Sequence, residues 1–229
     1  MRLTDLRERG LVRLISHTHH KPPVLRALVD DEAEAAILAG LEGETSARLV
    51  AEREGGPALD RRELAFRRHR SDLDRYGHTH VNAAFAYTRP EGNRFNAGDR
   101  GAWYCAFDDL TACHEVGYHR TRELRNVGRL HDSAVYVALL ADFIGEFPDL
   151  RGVVTPALDP DPGVGYPAGQ AFARDLRAAG HGGLIYPSAR SPGGTCFVAF
   201  VPQIVQNVRP GAKWTLTWRG GPDFEIASA

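Results

Sequence analysis

The chain has 229 residues and a mass of 25.1 kDa, enough for one sizeable hydrophobic core. With 43% hydrophobic, 25% charged and 9% aromatic residues it lies near the globular average, which excludes a wholly disordered chain and a coiled coil. Its 28 Lys+Arg against 29 Asp+Glu give a formal net charge of -1, without the basic excess that phosphate-backbone binding leaves, so nucleic acid is not an expected partner.

The cysteines, Cys105, Cys113 and Cys196, are too few and too irregularly spaced for a disulfide framework and form no Cys-x-x-Cys pair, which points to a reducing compartment. The opening segment MRLTDLRERGLVRLIS has no apolar stretch of secretory length, and no uncharged run approaches the ~20 residues that span a bilayer. The expected setting is the cytoplasm, away from membranes.

In chain order, LVRLIS (residues 11–16) reads as a short strand interrupted by Arg13 and followed by the turn HTHHKPP. From Val24 to about Asp74, Ala, Leu, Glu and Arg dominate, with breaks at Gly40, Gly43 and the Gly55-Gly56 pair, so a helical insertion is expected over about residues 24–76. After Gly77, VNAAFAYT turns to the β-branched, aromatic and small residues of strands, PEGNRFNAG is a turn-rich loop, and GAWYCAF is a strand. Asp108 is placed to cap a helix, LTACHEVGYHRTREL. AVYVALLADF and RGVVT read as strands and GVGYPAG as a loop. AGQAFARDLRAAG reads as an amphipathic helix with Ala168, Ala171, Phe172 and Leu176 near one face and Gly180 as its stop. GGLIYPS and TCFVAFVP are further strands, and the alternating WTLTW closes the sheet. The mixture predicts an α+β fold.

Thr111, Glu115 and His119 follow one another at one-turn spacing and share a helix face. On spacing alone a solvated face with an ordinary ion pair or hydrogen bond is the better reading, since surface pairs of this kind are common. His114 and His119 are five apart, ~140° around a helix, which is wrong for a zinc helix. The histidines at 17, 19 and 20 and at 78 and 80 alternate in extended segments without cysteine support, so no metal is expected. GVGYPAG lacks the glycine spacing of a dinucleotide fingerprint. The arginine run from Arg61 to Arg70 is offset by Glu63, Asp72 and Asp74 and has no interleaved stacking aromatics, so it reads as a solvated face. Ser188 follows a strand but lacks the Gly-x-Ser-x-Gly elbow, which makes it a hydrogen-bonding residue at a strand end in preference to a nucleophile.

Taken together, GNRFNAG, AWYCAFDDLTACHEVGYHRT and GLIYPSARSPGGTCFVAF resemble the RES-domain family, named for its Arg, Glu and Ser. The resemblance covers most of residues 77–208 and the RLIS strand, and treats residues 1–229 as a single RES-type domain carrying the helical insertion. It implies an ADP-ribosyltransferase-like mixed sheet core and an enzyme that consumes NAD. The family's toxin members pair with Xre-type helix-turn-helix antitoxins. By this resemblance the family's arginine falls on Arg94, its tyrosine on Tyr104, its glutamate on Glu115, its following histidine on His119, its serine on Ser188 and an early arginine on Arg13. The chain departs from the family pattern at Asn93 and Phe95, in the insertion, and at Thr195.

The implied chemistry is cleavage of the nicotinamide–ribose bond by phosphorolysis or hydrolysis, with NAD as substrate and inorganic phosphate as the possible co-substrate. The alternatives are a protein ADP-ribosyltransferase of the same fold, or a non-catalytic module that keeps the NAD pocket as an antitoxin's partner. Because nicotinamide leaves from a cationic ring, the step needs an oxocarbenium-like centre stabilised more than it needs a strong nucleophile. Glu115 suits that need, Arg13 and Arg94 suit the pyrophosphate, Tyr104 suits the nicotinamide ring, and Ser188 and His119 suit positioning of the ribose or phosphate.

Overall fold

The computed structural model describes residues 1–20, 44–64 and 77–229. Strand β1 (Arg2–Ser16) extends well upstream of LVRLIS and ends in a 3-10 turn at His17–His19. It pairs along its whole length with β3 (His131–Asp149), from Arg2↔Asp149 to Ser16↔Tyr136. The other edge of β3 pairs with β6 (Gln206–Arg219), and β6 with β7 (Phe224–Ser228), both antiparallel. Three short strands, β2 (Trp103–Ala106), β5 (Thr195–Ala199) and β4 (Gly183–Pro187), form a second antiparallel group. Single pairs, Val12↔Ala106 and the parallel Asp149↔Ile185, join the two groups into a seven-stranded mixed sheet in which β1, β2, β5, β4 and β3 close a ring.

Along β3 both neighbouring strands, β1 and β6, carry extra residues where the ladder is interrupted. The register slips between Glu8 and Leu11 on the β1 side, and at Val137/Leu139 and Leu140/Asp142 on the β6 side. Bulges of this kind bend a strand and sharpen its twist. Gly10 takes φ +83° at the bulge, and its N–H donates to Asp142 Oδ1 at 2.9 Å. Arg209 Nη1 and Asn207 Nδ2 donate to the same carboxylate at 2.7 and 2.8 Å, fastening three strands at the bend.

The short strands β2, β4 and β5 are buried on both faces. Leu184, Tyr186, Cys196 and Val198 enter one core with Ala112, Cys113 and Leu124 of α3 (Asp109–Val127) and Ala173 and Leu176 of α4 (Pro162–Ala178). Ile185, Phe197 and Ala199 point into a second core with Ala51 of α1 (Ala47–Glu54) and Val81, Ala84 and Phe85 of α2 (His78–Ala86). Two-sided burial is why these strands read as continuous apolar runs without alternation. No helix among the described residues is long and apolar enough to cross a membrane.

The fold is α+β as expected, with corrections in detail. VNAAFAYT is mostly helix α2, because Val81, Ala84 and Phe85 make an i, i+3, i+4 stripe that packs into the second core. RGVVT is not a strand: β1 gives out at Arg2↔Asp149, and the carboxylate of Asp149 turns the chain by accepting from the Arg151 N–H and guanidinium. GVGYPAG is not a loop but the first turns of α4, with Asp161 accepting from Gly163 N–H at 2.9 Å and Pro162 in the first turn. The buried stripe of α4 is Gly165, Gly169, Ala173 and Leu176, with Phe172 packed beside it. WTLTW lies inside β6, and β7 beyond it forms the sheet edge. Of the expected insertion, residues 44–64 are described and contain α1, capped by Ser46 and ended at Gly55. Residues 24–43 and 65–76, with most of the arginine run, lie outside the described residues. The described part is tied to the core by Arg100, whose guanidinium grips both carboxylate oxygens of Glu63 at 2.8 and 2.6 Å.

Candidate active site

Helix α3 begins as the sequence predicts. Asp108 Oδ1 accepts from Thr111 N–H at 2.7 Å and Oδ2 from Thr111 Oγ1 at 2.8 Å, so one side chain satisfies the first turn and anchors Thr111. The polar face one turn further on is turned inward. Thr111 is buried, and Glu115 and His119 line a cavity of about 240 Å³ between α3, the β2–β5 strands and the loop before β2. The solvated-face reading of this triplet is therefore overturned.

Arg94 and Tyr104 reach the same cavity from the Asn93–Asn96 loop and β2. The loop folds into a tight bridge, with Asn93 N–H donating to the Asn96 carbonyl at 2.8 Å. Tyr104 locks it: its hydroxyl accepts from Phe95 N–H at 3.0 Å and donates to Asn96 Oδ1 at 2.8 Å. The phenol oxygen is thus occupied, and its ring is what Tyr104 offers a ligand. Burial pushes the ionisation of that hydroxyl above its usual range. Gln170 of α4 clamps the loop from outside through the carbonyls of Glu91 and Asn93.

Arg94 is only 8% exposed, and its Nη1 donates to the carbonyls of Ala157 and Asp159 at 2.9 and 2.7 Å. The glycines of α4 make room for it. A Cβ at Gly165 would sit 2.6 Å from Arg94 Nη1, and one at Gly169 would sit 2.2 Å from the Arg94 carbonyl. The GVGYPAG segment contributes to the site through this close approach and not as a phosphate loop.

Ser188 follows β4 directly and opens a turn closed by Ser188 N–H to the Gly194 carbonyl at 2.9 Å. Its hydroxyl donates to Glu115 Oε1 at 2.6 Å and accepts from the N–H groups of Arg190 and Ser191 at 3.0 and 2.9 Å. Cys196 Sγ lies 3.8 Å from the same carboxylate oxygen. Ser188 is not among the cavity-lining residues; it stands behind Glu115 and aims it.

Arg13 also lines the cavity, its guanidinium 4.9 Å from the Trp103 ring and donating to the Tyr104 carbonyl at 3.2 Å. Among the lining residues Glu115 is the one carboxylate, whereas Arg13, Arg94 and Arg190 are guanidinium groups. Burial pulls the pKa values of Arg13 and Arg190 down. His119 is lowered to about 4, first by burial and then by Arg89, Arg122, Arg190 and Arg94, and its buried Nδ1 has no protein partner. The imidazole is therefore neutral at physiological pH. His20 and His80 stack at 6.1 Å, and no group of metal-holding side chains occurs among the described residues.

The structure therefore gathers Arg13, Arg94, Tyr104, Glu115 and His119 around one cavity, with Ser188 behind Glu115. The sequence reading missed Asn96, which receives the Tyr104 hydroxyl, and Arg190, although Arg190 stands two residues after Ser188.

An α+β sheet that places a single carboxylate in an arginine-lined cavity is the setting in which the comparison falls. The family model of the RES domain matches residues 66–219, and the chain belongs to that family. A comparison with curated proteins finds no match. Strand β1, and with it Arg13, lies outside the matched span but inside the same sheet and the same cavity.

Proposed function

We propose that this protein cleaves NAD at the nicotinamide–ribose bond and passes the ADP-ribosyl group to phosphate or water. The observation that carries this reading is Glu115, a lone carboxylate held by a 2.6 Å hydrogen bond from Ser188 in a cavity whose other charged lining groups are arginines. In the step, the bond between C1′ and the pyridinium nitrogen breaks and its electron pair leaves with neutral nicotinamide. Positive charge develops on C1′ and the ring oxygen, and Glu115 offsets it while accepting hydrogen bonds from the ribose hydroxyls. An oxygen of phosphate, or of water that then loses a proton, forms the new bond to C1′. The arginines balance the diphosphate, which would otherwise bring uncompensated negative charge beside Glu115.

The Tyr104 ring supplies a flat apolar face for nicotinamide, its hydroxyl being held by the loop. His119, neutral, serves as a hydrogen-bonding partner and not as an acid or base near pH 7. RES domains form a toxin family, and the cellular reading that follows is a cytoplasmic toxin that depletes NAD unless an Xre-type helix-turn-helix antitoxin neutralises it. Glu115→Gln tests the chemistry. Removing the charge is expected to cost about 10²–10³-fold in NAD turnover in a protein that still folds, and near-normal turnover would overturn the reading.

A further inference from the structure

Arg190 takes part in none of the ion pairs among the described residues, yet it lines the cavity and is held by contacts of other kinds. Its backbone N–H is pinned to Ser188 Oγ at 3.0 Å. Its guanidinium carbon sits over Tyr118, 3.4 Å from the ring centroid, and Nη2 donates to the Pro160 carbonyl at 2.7 Å. Tyr118 belongs to α3 and Pro160 to the turn before α4, so one side chain spans two walls of the site. Stacking occupies the face of a guanidinium and leaves its edge, which carries five N–H donors, free to bind. Pro160 takes one of them.

Arg94 and Arg190 line the same cavity without a carboxylate between them other than Glu115, an arrangement of like charges that an anion relieves. Ser188 ties the two residues together at their bases, because the same hydroxyl holds the Glu115 carboxylate at 2.6 Å and the Arg190 backbone N–H at 3.0 Å. We infer that Arg190 is a binding residue for a phosphate group seated next to the ribose that Glu115 holds, with Tyr118 and Pro160 presenting its donors. The inference rests on the NAD reading for the identity of the ribose. The phosphate group has two sources, the ester phosphate of the dinucleotide or free inorganic phosphate on its way to C1′.

The experiment uses Arg190→Gln and Arg190→Lys in the full chain, with pyrophosphate and inorganic phosphate as calorimetric probes and NAD turnover as a separate readout. Probe affinity is expected to fall roughly 10- to 100-fold in Arg190→Gln, the range of a lost charged hydrogen bond, and less in Arg190→Lys. If the ester phosphate is the ligand, KM for NAD rises by a similar factor with KM for phosphate unchanged. If free phosphate is the ligand, KM for phosphate rises and hydrolysis in its absence keeps its KM for NAD. Tyr118→Leu, which keeps the charge and removes the stack, is expected to shift the same constant by a smaller factor. Unchanged probe affinity and unchanged KM values in Arg190→Gln that melts like the parent would overturn the inference. A parent protein that binds pyrophosphate through Arg190 but leaves NAD intact would overturn the NAD reading and keep this one.

Discussion

Ser188 has neither a proton nor a lone pair to spare, since its hydroxyl gives one bond to Glu115 and takes two from backbone N–H groups. That saturation makes it a positioning residue: the two N–H dipoles polarise the hydroxyl toward the carboxylate it serves. His119 carries the pH behaviour of the site. Its pKa of about 4 in the folded chain lies below the ~6.5 of an unfolded histidine, so the unfolded state binds more protons between those values. Its contribution to stability is therefore complete above about pH 6.5 and is lost as pH falls toward 4. His119→Gln is expected to flatten the acid limb of stability, measured as urea unfolding from pH 4 to 7. An NMR titration showing His119 protonating near pH 6.5 in the parent would contradict the account.

At the scale of elements, α4 shows packing overruling propensity. A segment with Gly163, Gly165, Pro167 and Gly169 is a poor helix by composition, but Gly165 and Gly169 are the positions where Arg94 and its loop press against the helix backbone. Gly165→Ala would place a methyl 2.4 Å from the Asp159 carbonyl and 2.6 Å from Arg94 Nη1, prising apart the contact that seats Arg94. NAD turnover is expected to fall about 10²-fold, the cost of a small misplacement in a site. Gly163→Ala, whose nearest neighbour is at 3.4 Å, is expected to leave it within about twofold on the same contact argument. Equal effects from the two variants would argue against a role for the cradle.

Elements with local signals were legible. Asp108 capped α3, and GLIYP and TCFVA were strands because apolar runs of that length bounded by turns are. What escaped was set by distant partners. The length of β3 depends on bulges against two other strands, and β7 exists because its residues pair with β6. Helix α2 shows its stripe only once the second core it faces is known.

For the molecule as a whole, a net charge of -1 hides an uneven distribution, because the cavity concentrates guanidinium groups around one carboxylate while carboxylates elsewhere pair on the surface. Net charge accordingly spoke against nucleic acid but was silent on an anionic small molecule. The positions of Arg94, Tyr104, Glu115, His119 and Ser188 were reachable from ordered motifs. The work of Arg190 was not, because Tyr118 and Pro160 meet it only in the folded chain.

The ring of strands places Arg13 of the first strand and Ser188 of a late loop within one site, so only the intact chain assembles it. The most direct measurement is the fate of NAD when mixed with the pure full-length protein, with and without inorganic phosphate. The account predicts free nicotinamide in both cases or only with phosphate, accompanied by ADP-ribose-1-phosphate when phosphate serves as acceptor and ADP-ribose when water does. ADP-ribose appearing on protein instead would select transfer, and NAD recovered whole, with no nicotinamide released, would contradict the central claim.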